Sequence, residues 1–200
     1  MEFARAAAEV CAANGIYVRI FESLRPTPEL SFAVRHYGCQ AGINITASHN
    51  PKEYNGYKVY WSDGAQLPPQ HADAIARELE KIDIFTGVKT MPFDEAMAAG
   101  RIELMGEETD NAFMENVMAM VNDRESVAKV ADDFHVVYTP FHGCGWKLVP
   151  QALRALGVKH LHCVPEQMVL DGSFPTVVSP NPENPEGFYL AIALADKVKA

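Results

Sequence analysis

The densest group of chemically able side chains is Thr46-Ala47-Ser48-His49-Asn50-Pro51, followed after Asn55-Gly56-Tyr57 by Lys58. A serine hydroxyl can attack an electrophile or carry a phosphoryl group. At its free pKa it is a weak nucleophile and needs a base or cations beside it. His49 is the adjacent base candidate, and Lys58 is a cation able to fold back over the loop. Asn50-Pro51 stiffens the turn, and Asn55-Gly56 signals a second chain reversal. The same letters also read as an ordinary polar turn, with Lys58 a solvated strand lysine. No Gly-x-Ser-x-Gly is present, which disfavours a hydrolase nucleophile elbow. No Gly-x-x-x-x-Gly-Lys-Ser/Thr and no Gly-x-Gly-x-x-Gly is present, so nucleotide-loop readings have no support.

The flanking segments must position that loop. Residues 2–13 have helical patterning and stop at Asn14-Gly15. Residues 16–21 read as a strand. Thr27 is placed to cap a helix with Pro28 at its first position, and that helix runs on from Leu30 to Tyr37. Residues 41–45 form a short buried-type strand leading into the serine loop, and Tyr57 to Trp61 form the next. A helix from Pro68 to Lys81 presents Ala72, Ile75, Ala76 and Leu79 on one face. Residues 82–106 read as short helices, and Asp110 to Val121 as another helix.

Asn122 to Asp133 is a polar linker or linking helix. A second strand–turn–helix–strand unit then starts at Phe134 and passes through Thr139-Pro140-Phe141-His142-Gly143. Its helix runs from Trp146 to Leu156 and its second strand from Val158 to Val164. Residues 165–187 read as a long functional loop, and Phe188 to Lys199 as a final helix. Helices alternating with strands predict an α/β class. A loop leaving a strand end is where open α/β sheets place ligands.

Bulk composition narrows the function classes. An apolar fraction of 48% in 200 residues is enough for one or two globular domains. A net charge of −9 argues against general nucleic-acid binding, and leaves room for a small phosphorylated ligand. No run of about 18 apolar residues exists, so no membrane span is expected. The N-terminus does not read as a signal peptide. Four scattered cysteines without a Cys-x-x-Cys fit reduced thiols and a cytoplasmic setting.

The serine loop resembles the phosphoserine loop of the α-D-phosphohexomutase superfamily, which holds the phosphoglucomutases and phosphomannomutases. Asn55-Gly56-Tyr57-Lys58-Val59-Tyr60, Asp63-Gly64-Ala65-Gln66, Thr139-Pro140-Phe141-His142-Gly143, Phe174-Pro175-Thr176 and Pro180-Asn181-Pro182-Glu183 follow in the family's order. Val164-Pro165-Glu166-Gln167 and Ala193-Leu194-Ala195-Asp196-Lys197 are similar to the branch with glucose-phosphate and pentose-phosphate mutases.

The resemblance implies layered α/β/α domains with mixed sheets, truncated at both ends relative to the family. Residues 1–122 would be most of domain one, 123–133 a linker, and 134–200 the first half of domain two. It implies a phosphohexomutase moving phosphate between C1 and C6 of a hexose phosphate, glucose phosphate foremost. The carrier would be Ser48, through a bisphosphorylated sugar, with Mg2+ on its phosphate and a glucose 1,6-bisphosphate-type activator. His49 and Lys58 match catalytic positions, and Asn50 and Lys58 substrate-proximal ones. His142 is either a plain turn residue or a ligand contact, and Glu183 is structural.

One departure weighs on all of this: the family's Asp-x-Asp-x-Asp-Arg metal loop does not occur in these residues. Asp132-Asp133 lies too early to replace it. The chain alone is therefore expected to be inactive. The alternative is a non-catalytic sugar-phosphate-binding or regulatory module, and a serine hydrolase using Ser48 and His49 is the least favoured.

Overall fold

The computed structural model describes all 200 residues. They form two compact units, Met1–Ile45 with Tyr57–Thr109, and Thr46–Gly56 with Asp110–Ala200.

In the first unit, α1 (Glu2–Ala13) is alanine-rich, so its buried face, Ala8 and Ala12, approaches its neighbours closely. It packs against β1 (Val18–Phe21) and α4 (Phe93–Ala98), and Ile20, Phe93, Ala96 and Ile102 complete that core. The Glu9 carboxylate accepts from the Phe93 amide at 2.9 Å, which supplies the first turn of α4 with an acceptor from α1. β1 pairs in parallel with β4 (Ile102–Met105), Val18 opposite Ile102 and Phe21 opposite Met105.

β4 corrects the expectation of short helices throughout residues 82–106. Glu, Leu and Met favour helix in isolation, but here pairing with β1 and burial of Ile102 and Met105 decide the outcome. Ile16 and Tyr17, expected inside β1, stay outside it and are about half exposed.

A second sheet pairs β2 (Ala41–Ile45) antiparallel with β3 (Tyr57–Trp61), Asn44 opposite Lys58 and Ile45 opposite Tyr57. α2 (Thr27–His36) lies on it. Gly42 makes that approach possible, because a Cβ there would stand 2.7 Å from Val34 Cγ2. Thr27 is not the cap. Pro26 holds the cap position, no side chain caps the helix, and the Thr27 hydroxyl instead accepts from Asn44 Nδ2 at 2.7 Å. That bond ties the helix start to the strand end from which the serine loop departs. α3 (Pro69–Leu79) forms as expected, but its apolar face stays outside the core, with Ile75 40% and Leu79 61% exposed.

In the second unit, β5 (His135–Tyr138) and β6 (His160–Cys163) pair in parallel, with α7 (Leu148–Leu156) between them in sequence and α8 (Tyr189–Val198) packed on β5. A single 3-10 turn, Cys144–Trp146, precedes α7, and Gly157 in the left-handed region ends it. α5 (Glu107–Ala119) carries the chain across from the first unit to the second. Lys147 reaches Asp110 on α5 at 2.6 Å. Within the expected linker lies α6 (Arg124–Val130), whose cap Asp123 accepts from the Ser126 amide at 2.9 Å. The whole is α/β, built from parallel and antiparallel strand pairs with helices packed on them.

Candidate active site

The serine loop is closed at its neck by the Thr46 amide donating to the Gly56 carbonyl at 2.9 Å. Gly56 is required there, because a Cβ would meet the Thr46 carbonyl oxygen at 2.6 Å. Asn55 Oδ1 accepts from the Gly56 amide at 2.9 Å. We expect Gly56→Ala to spread this neck and to cost about 1–3 kcal/mol in a denaturant melt. An unchanged midpoint would show that the neck yields freely.

Inside the neck, the Asn50 amide donates to the Ala47 carbonyl at 3.1 Å, and the Tyr54 amide to the Pro51 carbonyl at 3.0 Å. Ser48 sits at the corner with φ of 58°, in the left-handed region. Such a conformation is uncommon for a residue with a Cβ, and clusters at functional sites. Thr46 Oγ1 supports it by accepting from the Ser48 amide at 3.0 Å. Ser48, His49 and Asn50 are all exposed.

Ser48 Oγ lies 3.2 Å from His49 Nδ1. With the ring proton on Nε2, the hydroxyl donates to Nδ1, and His49 is in place to take that proton. No carboxylate holds His49 from behind, which is the third member a hydrolase triad requires. The Asn50 backbone shapes the turn, and its side chain stands at the exposed rim. Lys58, the second residue of β3, is partly buried opposite Asn44 and belongs to the first unit.

A metal site is not assembled by these residues. No three His, Cys, Asp or Glu side chains are grouped to hold an ion. Asp132 is committed to Lys159 at 2.5 Å. A phosphate on Ser48 would offer one ligand, and the chain does not supply the rest.

The second unit contributes a polar network that sequence reasoning did not resolve. His142 is 3% exposed and, like its neighbour Phe141, has positive φ. Its Nδ1–H donates to the Val169 carbonyl at 2.9 Å, and its Nε2 accepts from the Thr176 hydroxyl at 2.8 Å. Gln167, fully buried, donates from Nε2 to Thr176 Oγ1 at 3.1 Å and to the Gly187 carbonyl at 3.2 Å. Its Oε1 accepts from the Thr139 hydroxyl at 2.5 Å. Thr139 Oγ1 in turn accepts from the Phe141 amide at 3.1 Å, and the Gln167 carbonyl from the His142 amide at 2.9 Å. Every donor in this set has an acceptor, and the direction of each bond follows from its neighbour. His142 is more than the plain turn residue of the first reading, and its two ring nitrogens are bonded to Val169 and Thr176 within the unit.

The segment so braced carries Asp171. Its Oδ1 accepts from the Ser173 hydroxyl at 2.7 Å and the Ser173 amide at 2.8 Å. Those bonds hold its carboxyl below the usual carboxylate range.

Two family models match the chain. The phosphoglucomutase/phosphomannomutase α/β/α domain I covers residues 1–84, and domain II residues 111–200. The chain belongs to this family. A phosphoglucomutase of Staphylococcus saprophyticus is 37% identical over 198 residues, 99% of this chain and 35% of that protein. A human phosphopentomutase is 37% identical over 211 residues, 99% of this chain and 32% of that one. Among solved structures, a Thermus thermophilus protein assigned as a phosphomannomutase superposes with a TM-score of 0.75 at 26% identity. That match covers 96% of this chain and 40% of the other. The chain thus spans about a third of the length of these curated relatives. The family's members are isomerases of phosphorylated sugars, and the serine loop lies within the matched domain I.

Proposed function

We propose that Ser48 is the phosphoryl carrier of a phosphohexomutase, with glucose phosphate as the foremost substrate. The observation that supports it best is the exposed Ser48 hydroxyl on a left-handed corner beside His49, within a family domain I. In this reading a phosphoryl group leaves Ser48 Oγ for a hydroxyl of the hexose monophosphate. The P–Oγ bond breaks, a P–O(sugar) bond forms, the sugar hydroxyl proton passes to a base, and Ser48 Oγ takes up a proton as it leaves. The bisphosphorylated sugar then returns its other phosphoryl group to Ser48, so the net change is a move between C1 and C6.

His49 holds the Ser48 hydroxyl proton at Nδ1. Lys58 supplies positive charge for the transferring phosphoryl group, and Asn50 contacts the sugar phosphate at the loop rim. Positioning and charge neutralisation do most of the work in such transfers. Mg2+, when bound, would neutralise phosphate charge, but these residues do not complete its site. No helix of the chain is long and apolar enough to cross a membrane. We place the protein in the cytoplasm, in keeping with four free cysteines.

The 200 residues alone should turn over glucose 1-phosphate at least about 10³-fold more slowly than the same residues within the full length of the relatives. A coupled assay of both proteins, primed with glucose 1,6-bisphosphate and Mg2+, measures this. Equal rates would show that the phosphate-carrying unit needs nothing beyond these residues. The ungrouped metal ligands favour one second reading, a non-catalytic sugar-phosphate-binding module. Sugar-phosphate binding without turnover in the longer protein would select it.

A further inference from the structure

Three of the seven histidines meet on one face of the β5–β6 pair, and the phosphotransfer reading uses none of them. The parallel register sets His135 opposite His160, and His162 follows two residues along β6, so the three side chains leave the same face. All three are partly buried. The His135 and His160 rings stack, with centroids 4.4 Å apart and planes 11° from parallel. His160 Nε2–H donates to the Asp132 carbonyl at 2.9 Å, which fixes that ring. His162 meets His135 through nitrogen: its Nε2 stands 3.2 Å from His135 Nδ1. One of these nitrogens carries the hydrogen and the other accepts it.

We propose that His135 Nδ1 and His162 Nε2 form a two-imidazole site for a divalent transition-metal ion of the Cu2+, Ni2+ and Zn2+ class. Two nitrogens, each about 2.0–2.1 Å from one ion, stand roughly 2.9–3.4 Å apart at angles between square-planar and tetrahedral. The observed 3.2 Å falls inside that span. Neutral imidazole is the ligand, and the hydrogen shared between the rings passes to the far nitrogen of its own ring. His160 is a positioning residue: held by the Asp132 carbonyl, it keeps the His135 ring from turning. No group of three such side chains is assembled to hold an ion, so water fills the remaining positions. The Asp132 carboxylate is spent on Lys159 at 2.5 Å. Mg2+, which takes oxygen ligands, is not the ion of this site.

Ni2+ is the probe, because it does not oxidise the four free cysteines. Titrated into the 200-residue chain, it should broaden the imidazole NMR signals of His135 and His162 before those of the histidines outside this cluster. His135→Gln and His162→Gln should each weaken binding roughly tenfold or more. His160→Ala should weaken it as well, and His160→Phe, which restores a ring over His135, should recover it. Excess Mg2+ should leave the titration unchanged. Earlier broadening at histidines outside the cluster, or parent-like affinity in both glutamine variants, would overturn the proposal. Should a variant lose its fold, the parent alone decides: bound Ni2+ should protect His135 and His162 from diethyl pyrocarbonate, and equal modification with and without Ni2+ would contradict the site. Turnover is not read, so a failed mutase assignment leaves the result interpretable.

Discussion

Ser48→Ala, made in a protein that carries these residues within the full length of the relatives, should abolish hexose-phosphate turnover. Removing a covalent nucleophile from an intact site costs on the order of 10⁴–10⁶-fold in rate. The serine corner allows a control that separates chemistry from backbone strain. Ser48 has φ of 58°, a conformation that glycine adopts freely and alanine does not. Ser48→Gly should therefore be as inactive as Ser48→Ala while leaving the melting temperature at or above the parent's. Ser48→Thr keeps a hydroxyl but places a β-branched residue at positive φ, so it should lose loop geometry as well as rate. Turnover retained in Ser48→Gly would show that this hydroxyl does not carry the phosphoryl group.

The second large effect concerns Gln167. Fully buried, its amide bonds Thr139, Thr176 and the Gly187 carbonyl. Gln167→Ala removes all three and leaves buried partners without a replacement. We expect a loss of about 3 kcal/mol and a fall in Tm on the order of 10 °C. Gln167→Glu keeps the shape but turns two donated bonds into lone pairs facing Gly187 O and Thr176 Oγ1. A neutral carboxylic acid can donate one of them. The variant should therefore gain stability relative to the parent as pH falls through the raised pKa of the buried carboxyl. A parent-like Tm for Gln167→Ala would mean that the network does not hold the second unit together.

Much of this was legible from residues alone. Local signals gave α1, β2 and β3 at their observed bounds, because alanine periodicity and β-branched runs agree there with the tertiary environment. The serine loop was marked by its letters, and its closure by Asn55-Gly56. β4 was missed, since Ile102-Glu103-Leu104-Met105 becomes a strand only through a partner far away in sequence. Thr27 was misread as a cap because the proline before it already takes that position, and because its hydroxyl partner, Asn44, lies on β2.

The His142–Gln167–Thr176 network left no mark that a local reading could use. Each member is ordinary in its own segment, and the order of their hydrogen bonds exists only once residues 139–143 and 165–187 meet. Asp171 left no such mark either, its observed partner being Ser173 in its own turn.

The most direct test of the central assignment is peptide mapping by mass spectrometry. The longer protein would be incubated with glucose 1,6-bisphosphate and Mg2+ and digested, with its Ser48→Ala variant treated alongside. One phosphate on Ser48, lost when unlabelled hexose monophosphate is added and absent from the variant, is the predicted result. Phosphate mapped to another residue, or a turning-over protein with none on Ser48, would contradict it.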